Sequence, residues 1–141
     1  QLPFLQYLYG SAFKFVPICF LMQDLESGRE VGQATAKALS DKNALVIAST
    51  DMTHYEPQKS AEKKDKMAIA AAIKMAEEQY YSTVESYRIS TCGYGPTIAA
   101  ITAAKALGAN KAQLLCYKTS GDVTGDFSAV VGYASIAFIK S

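Results

Sequence analysis

One histidine and one cysteine carry most of the chemistry open to this chain. His54 is the only histidine among 141 residues, so any imidazole chemistry must run through it. It lies in Ser49-Thr50-Asp51-Met52-Thr53-His54-Tyr55-Glu56-Pro57, directly after the apolar run Ala44 to Ala48. That run is too short for a helix and rich in β-branched side chains, which predicts a strand buried on both faces of a parallel sheet. Polar groups bunched where such a strand ends are how an α/β protein builds a site, because ligands bind outside the carboxyl ends of its strands. Asp51, three residues before His54, is a candidate to orient the ring, and Tyr55 a candidate pocket residue. Two plainer readings stand beside these: a hydrogen-bonded structural histidine, and an Asp51 that only caps its own turn.

The second cluster is Ile89-Ser90-Thr91-Cys92-Gly93-Tyr94-Gly95-Pro96. Pro96 suits the first turn of a helix, where its missing N–H would be unpaired anyway. Ile98, Ile101, Ala104 and Leu107 continue that helix at the right spacing, and Gly108 stops it. Cys92 thus lies just upstream of a helix N-terminus, where free N–H groups and the helix dipole favour a thiolate. Gly93 and Gly95 allow a tight fold and leave the approach open, with Tyr94 between them as a pocket candidate. A soft metal ligand or a nucleophile would suit the setting, as would a cysteine that merely packs beside a turn. The glycines lack the spacing and the lysine of a phosphate loop. A third polar stretch, Thr119 to Asp126, is Gly-rich and offers Asp122 to the same end of the sheet.

The elements that must position these groups read as follows. Phe13 to Leu21 is strand-like, with Pro17 marking a bulge or an end. Gln23 to Gly28 turns the chain, and Arg29 to Leu39 is helical. Strand, helix and the strand at Ala44 would make a right-handed βαβ crossover. A charged stretch (Lys59, Glu62, Lys63, Lys64, Asp65, Lys66) reads as a solvated first turn leading into a helix from Met67 to Ala76. Glu77 to Tyr87 is a weaker helix. Ala112 to Lys118 and Ala129 to Ile139 are strands joined by a loop too short for a parallel crossover, so the last is antiparallel. The expected architecture is one α/β domain over residues 1–141: a mixed, mostly parallel sheet with helices on its faces and a closing antiparallel strand.

Composition narrows the function classes. Half of the residues are hydrophobic and 19% charged, which is globular composition without a disorder signature. A formal charge of +1 offers no footprint for nucleic acid or an anionic membrane. Cys19, Cys92 and Cys116 are odd in number and widely spaced. That fits neither a disulfide framework nor a zinc ribbon and points to a reducing cytoplasm. Cys19 and Cys116 read as small core residues. The opening Gln1-Leu2-Pro3-Phe4-Leu5, running on to Tyr9, is apolar enough to need a cover. It suggests the carboxyl part of a longer protein, or one that assembles with copies of itself or with an amino-terminal half.

Taken together, Ser49 to Tyr55, Thr91 to Pro96, Tyr117 to Asp126 and Val131-Gly132-Tyr133 resemble the Memo family, whose microbial members include the B protein of the AmmeMemoRadiSam system. The resemblance covers nearly the whole chain but only the carboxyl half of that family's fold. The family is in turn similar to the class III extradiol dioxygenases. The resemblance implies a dioxygenase-like fold and a site of two histidines from the absent amino half plus a cysteine matched by Cys92. His54 matches a further pocket histidine, an acid/base in the dioxygenases. Where those enzymes have a carboxylate ligand this pattern has Cys92, and a thiolate favours a softer or redox-active transition metal: copper or iron, with zinc also open.

Three functions are compatible with this reading. One is a metal-dependent, dioxygenase-related redox protein with Cys92 as ligand, His54 as acid/base and Asp51 beside it. Another is a metal-free enzyme in which His54 activates Cys92. The third is a module that binds a peptide or small molecule in the same cleft without chemistry.

Overall fold

The computed structural model describes all 141 residues. Its first helix, α1 (Leu2–Tyr9), has Pro3 in the opening turn and no buried residue. The second, α2 (Leu25–Leu39), starts where the Asp24 carboxylate accepts the Ser27 N–H at 2.8 Å. This N-cap lies within the segment that the sequence assigns to a turn, so the helix begins four residues earlier than periodicity predicts. Gly28, Gly32 and Ala36 form its buried face. A Cβ at Gly28 would lie 2.6 Å from Ile98, and one at Gly32 would lie 2.6 Å from the Ala99 carbonyl. The small residues therefore let α2 press closely on α5 (Tyr94–Ala106).

Helix α5 is buried on nearly every side, as its Ala- and Ile-rich sequence requires. Ile98 and Ile101 are fully enclosed, each worth about 1.5–3 kcal/mol relative to exposure. Around them pack Met52, Tyr80, Val84, Ile89 and the alanine face of α3 (Gln58–Ile73). Helix α4 (Glu77–Ser86) closes the layer. Helix α3 begins nine residues before the predicted Met67, so the lysine-rich stretch is helical. Within it Asp65 is fully buried and not solvated as expected. Its place in the row Ala61, Asp65, Ala68, Ile69, Ala72, at spacings of three, four and one, keeps it on the inward face.

The sheet has three strands in the order β1 (His54–Glu56), β3 (Val130–Ile139), β2 (Lys111–Thr119), and every pairing is antiparallel. The predicted closing hairpin is present, with a four-residue helix, α6 (Gly121–Thr124), in its connection. The expected parallel crossover is not: Phe13–Leu21 and Ala44–Ala48 are irregular and pair with no strand. Apolar, β-branched composition marks a segment suited to a sheet, but a strand also needs a hydrogen-bonding neighbour, and these 141 residues supply none to either run. Val16, Leu21 and Leu45 are accordingly well exposed.

Cys19 and Cys116 are exposed instead of buried in the core. Cys19 goes with its unpaired segment. Cys116 is turned out by a register shift between Leu114 and Cys116, which leaves Leu115 and Cys116 both outside while Leu114 and Tyr117 face in. Leu2, Phe4, Tyr7, Leu8 and Tyr9 of α1 are exposed.

Candidate functional site

The pairings His54 with Val131 and Thr119 with Gly132 bring the loop before β1 and the end of β2 to one edge of the sheet. The loop before α5 meets that edge. Asp51, His54 and Cys92 each point one ligand atom into the same space, and these atoms lie within 4.8 Å of one another. Cysteine and histidine, 38 positions apart in the sequence, thus converge on one mouth. Their exposure is graded: Cys92 is exposed and the His54 and Asp51 side chains are partly covered, at 24% and 48%.

Two threonines hold the loops together. The Thr91 hydroxyl donates to the Asp51 carbonyl at 2.7 Å, and the Thr50 hydroxyl accepts the Gly93 N–H at 2.8 Å. Gly93 has no room for a side chain there, since a Cβ would lie 2.5 Å from that of Thr50. Gln23, in the segment entering α2, donates to the Cys92 carbonyl and accepts the Gly95 N–H, both at 3.0 Å. The backbone N–H of Asp51 points at the Cys92 sulfur at 3.1 Å, a donor suited to a thiolate.

His54 is fixed by Ser90. Its backbone N–H donates to the Ser90 hydroxyl at 2.8 Å, and its Nδ1 lies 2.6 Å from the Ser90 carbonyl oxygen. A carbonyl only accepts, so Nδ1 carries the proton and the neutral ring keeps its lone pair on Nε2. That nitrogen faces Asp51 Oδ2 across 3.8 Å, beyond hydrogen-bond range, so the orienting bond comes from Ser90. An imidazolium formed here would have the Asp51 carboxylate beside it.

The remaining predicted residues fall in different places. Tyr55 stands at the mouth, 78% exposed, with φ of 56° and its ring edge-on to His54 at 6.0 Å. Tyr94 packs against Tyr81 at 6.3 Å, and burial, with nearby acidic charge, pushes its phenol up from the ordinary value. Asp122 serves its own turn: the carboxylate accepts the Thr119 N–H at 2.7 Å, and that bond holds its carboxyl below the usual range. It makes no hydrogen bond to the Cys92 cluster. A cavity of about 650 Å³ lies between residues 44–48 and β3, and none of Asp51, His54 and Cys92 lines it. The candidate site is an open mouth.

Sequence reasoning missed Ser90, Thr50, Thr91 and Gln23 as members of the site. Ser90, Thr91 and Thr50 are visible only as polar neighbours of Cys92 and His54. Gln23 carries no local signal, because its role depends on how α2 meets α5.

Fold and site together define a mixed α/β protein with a Cys–His–Asp cluster at a sheet edge. A family model described as Memo-like protein matches residues 1–137. The chain is 54% identical over 140 residues to a MEMO1 family protein of Methanopyrus kandleri, covering 98% of this chain and 50% of that protein. It is also 54% identical to one of Methanocaldococcus jannaschii, with coverage of 96% and 49%. A relative from Nitrosopumilus maritimus is 43% identical, with coverage of 99% and 50%. The chain belongs to the Memo-like family and spans about half the length of these relatives. No helix is long and apolar enough to cross a membrane.

Proposed function

We propose that this chain supplies the thiolate part of a transition-metal centre in a dioxygenase-related redox protein. The convergence of the Asp51, His54 and Cys92 donor atoms within 4.8 Å supports the reading. Ligands bound at about 2.0–2.3 Å to one ion lie within such a span of one another, so a metal held by Cys92 would sit beside the Asp51 carboxylate and the His54 ring. Cys92 is the anchoring ligand, and a soft sulfur donor suits copper or iron more than a hard cation. The metal would supply Lewis acidity and redox chemistry.

The chain's own residues then do the following. Asp51 N–H and the helix N-terminus at Tyr94 stabilise the Cys92 thiolate. Ser90 holds His54 so that the Nε2 lone pair meets a bound substrate and takes its proton. Asp51 faces the imidazolium so formed and lowers its energy. Tyr55 offers an aromatic face at the entrance.

The test is metal content of the full-length protein, wild type against Cys92→Ser, after purification without added chelator. One equivalent of transition metal in wild type and a small fraction in the variant is expected. Equal metal in both removes Cys92 as a ligand. If neither form holds metal and iodoacetamide labels Cys92 at neutral pH only when His54 is intact, the metal-free Cys–His enzyme takes its place. If no metal is found and Cys92→Ser and His54→Gln both leave binding of a small molecule or peptide unchanged, the site is a non-catalytic cleft.

A further inference from the structure

Asp65 is fully buried, yet no cation lies within ion-pair distance of it. Its neighbours on the inward face of α3 are Ala61, Ala68, Ile69 and Ala72. An isolated carboxylate in such surroundings is unfavourable unless its oxygens are hydrogen-bonded. Oδ1 accepts the Thr53 N–H at 2.9 Å and the Thr53 hydroxyl at 2.6 Å. Oδ2 accepts the Tyr117 hydroxyl at 2.8 Å. Gly132 sits against Oδ2 with no space for a Cβ, and its own N–H donates to the Thr53 carbonyl at 2.9 Å. The Thr53 peptide is therefore gripped from both sides, and the next N–H in the chain is that of His54, bonded to Ser90.

We infer that Asp65 is the positioning residue for His54, acting through Thr53. The inference rests on the proposed acid/base role of His54. Both bonds to Oδ1 come from the residue directly before His54, and they fix the backbone from which the imidazole projects. The carboxylate locks that residue in rotation as well as position, because it holds main chain and side chain at once. An apolar residue at position 65 would fill the space but leave the Thr53 N–H and hydroxyl without partners. Tyr117 occupies the second oxygen and is a constant donor, since burial and then Asp65 push its phenol far above the ordinary value.

The two oxygens of Asp65 separate positioning from plain stability. Thr53→Val removes one bond on the His54 side, Thr53→Ser keeps both, and Tyr117→Phe removes the bond on the other side. The readout is the tautomer of His54 in the full-length protein, from its ring 15N shifts at a pH where the ring is neutral. The resonances are assigned by their loss in His54→Gln. Wild type and Thr53→Ser are expected to show the Nδ1–H form alone. Thr53→Val and Asp65→Leu are expected to admit the Nε2–H form that free imidazole prefers. Tyr117→Phe should keep the wild-type tautomer even where its melting temperature falls as far as that of Thr53→Val.

Cobalt(II) titration of the wild type tests the metal centre separately from the tautomer. If Asp65→Leu does not fold, the Thr53 pair decides. An unchanged tautomer in Thr53→Val, or an equal change in Tyr117→Phe, overturns the inference. Failure of wild type to bind cobalt would count against the metal centre, while the tautomer ratio would still decide the role of Asp65.

Discussion

Asp51 and Cys92 are locked to each other through their main chains: the Asp51 N–H points at the Cys92 sulfur at 3.1 Å, and the Cys92 N–H donates to the Asp51 carbonyl at 3.3 Å. Residues 41 positions apart thus share one short bridge. Neither loop can shift without carrying the other's functional atom with it.

Gly93→Ala tests how tightly this bridge is packed. The added methyl would meet the Thr50 side chain at 2.5 Å and the Ser49 carbonyl at 2.8 Å, so the loops must part. A loss of about 1–3 kcal/mol is expected from overpacking. Metal affinity should weaken with it, because Thr50 and Cys92 move apart. Chemical denaturation and a metal titration of the same samples check this. Unaltered values in both would mean that the loops are not held in this register.

Tyr55 is the one exposed aromatic at the mouth, and its φ of 56° is unfavourable for a residue other than glycine. Asn accepts this conformation more readily, and at 78% exposure little packing is lost. Tyr55→Asn should therefore raise stability by about 1 kcal/mol. The same change should weaken any ligand that stacks on the ring. A melting temperature that falls would show that Tyr55 is retained for packing, with no conformational strain to relieve.

Glu77 joins three helices, meeting Lys105 at 2.8 Å and Arg29 at 3.5 Å. Burial alone would raise its pKa, but the Lys105 hydrogen bond and the two cationic charges outweigh it and hold the group below its ordinary 4.5. A carboxylate depressed in the folded state contributes stability that is fully present above its unfolded value. That contribution is lost as pH falls from about 4.5 through the lower folded value. Glu77→Gln should cost about 1 kcal/mol at pH 7 and nothing measurable at the acidic end of that range. Parallel stability–pH curves for the two proteins would remove Glu77 from the account.

How much of this was legible depended on what each residue needs from elsewhere. Helix α5 and the β2–β3 hairpin were readable because their apolar spacing and turn residues are local. His54 and Cys92 stood out as scarce residue types at loop positions next to regular elements. Asp65 was misread because a charge among lysines looks solvated, although its spacing from Ala61 and Ala68 put it on the buried face. The segments Phe13–Leu21 and Ala44–Ala48 carry strand composition without a strand, since pairing is a property of two segments and sequence shows one at a time. Ser90 orients His54 through its own carbonyl, a group every residue possesses, so no side-chain pattern could have announced it.

X-ray absorption at the metal edge of the full-length protein addresses the central claim most directly. The account predicts one sulfur scatterer at about 2.3 Å in wild type, replaced by lighter donors in Cys92→Ser. A wild-type first shell of nitrogen and oxygen alone would contradict it.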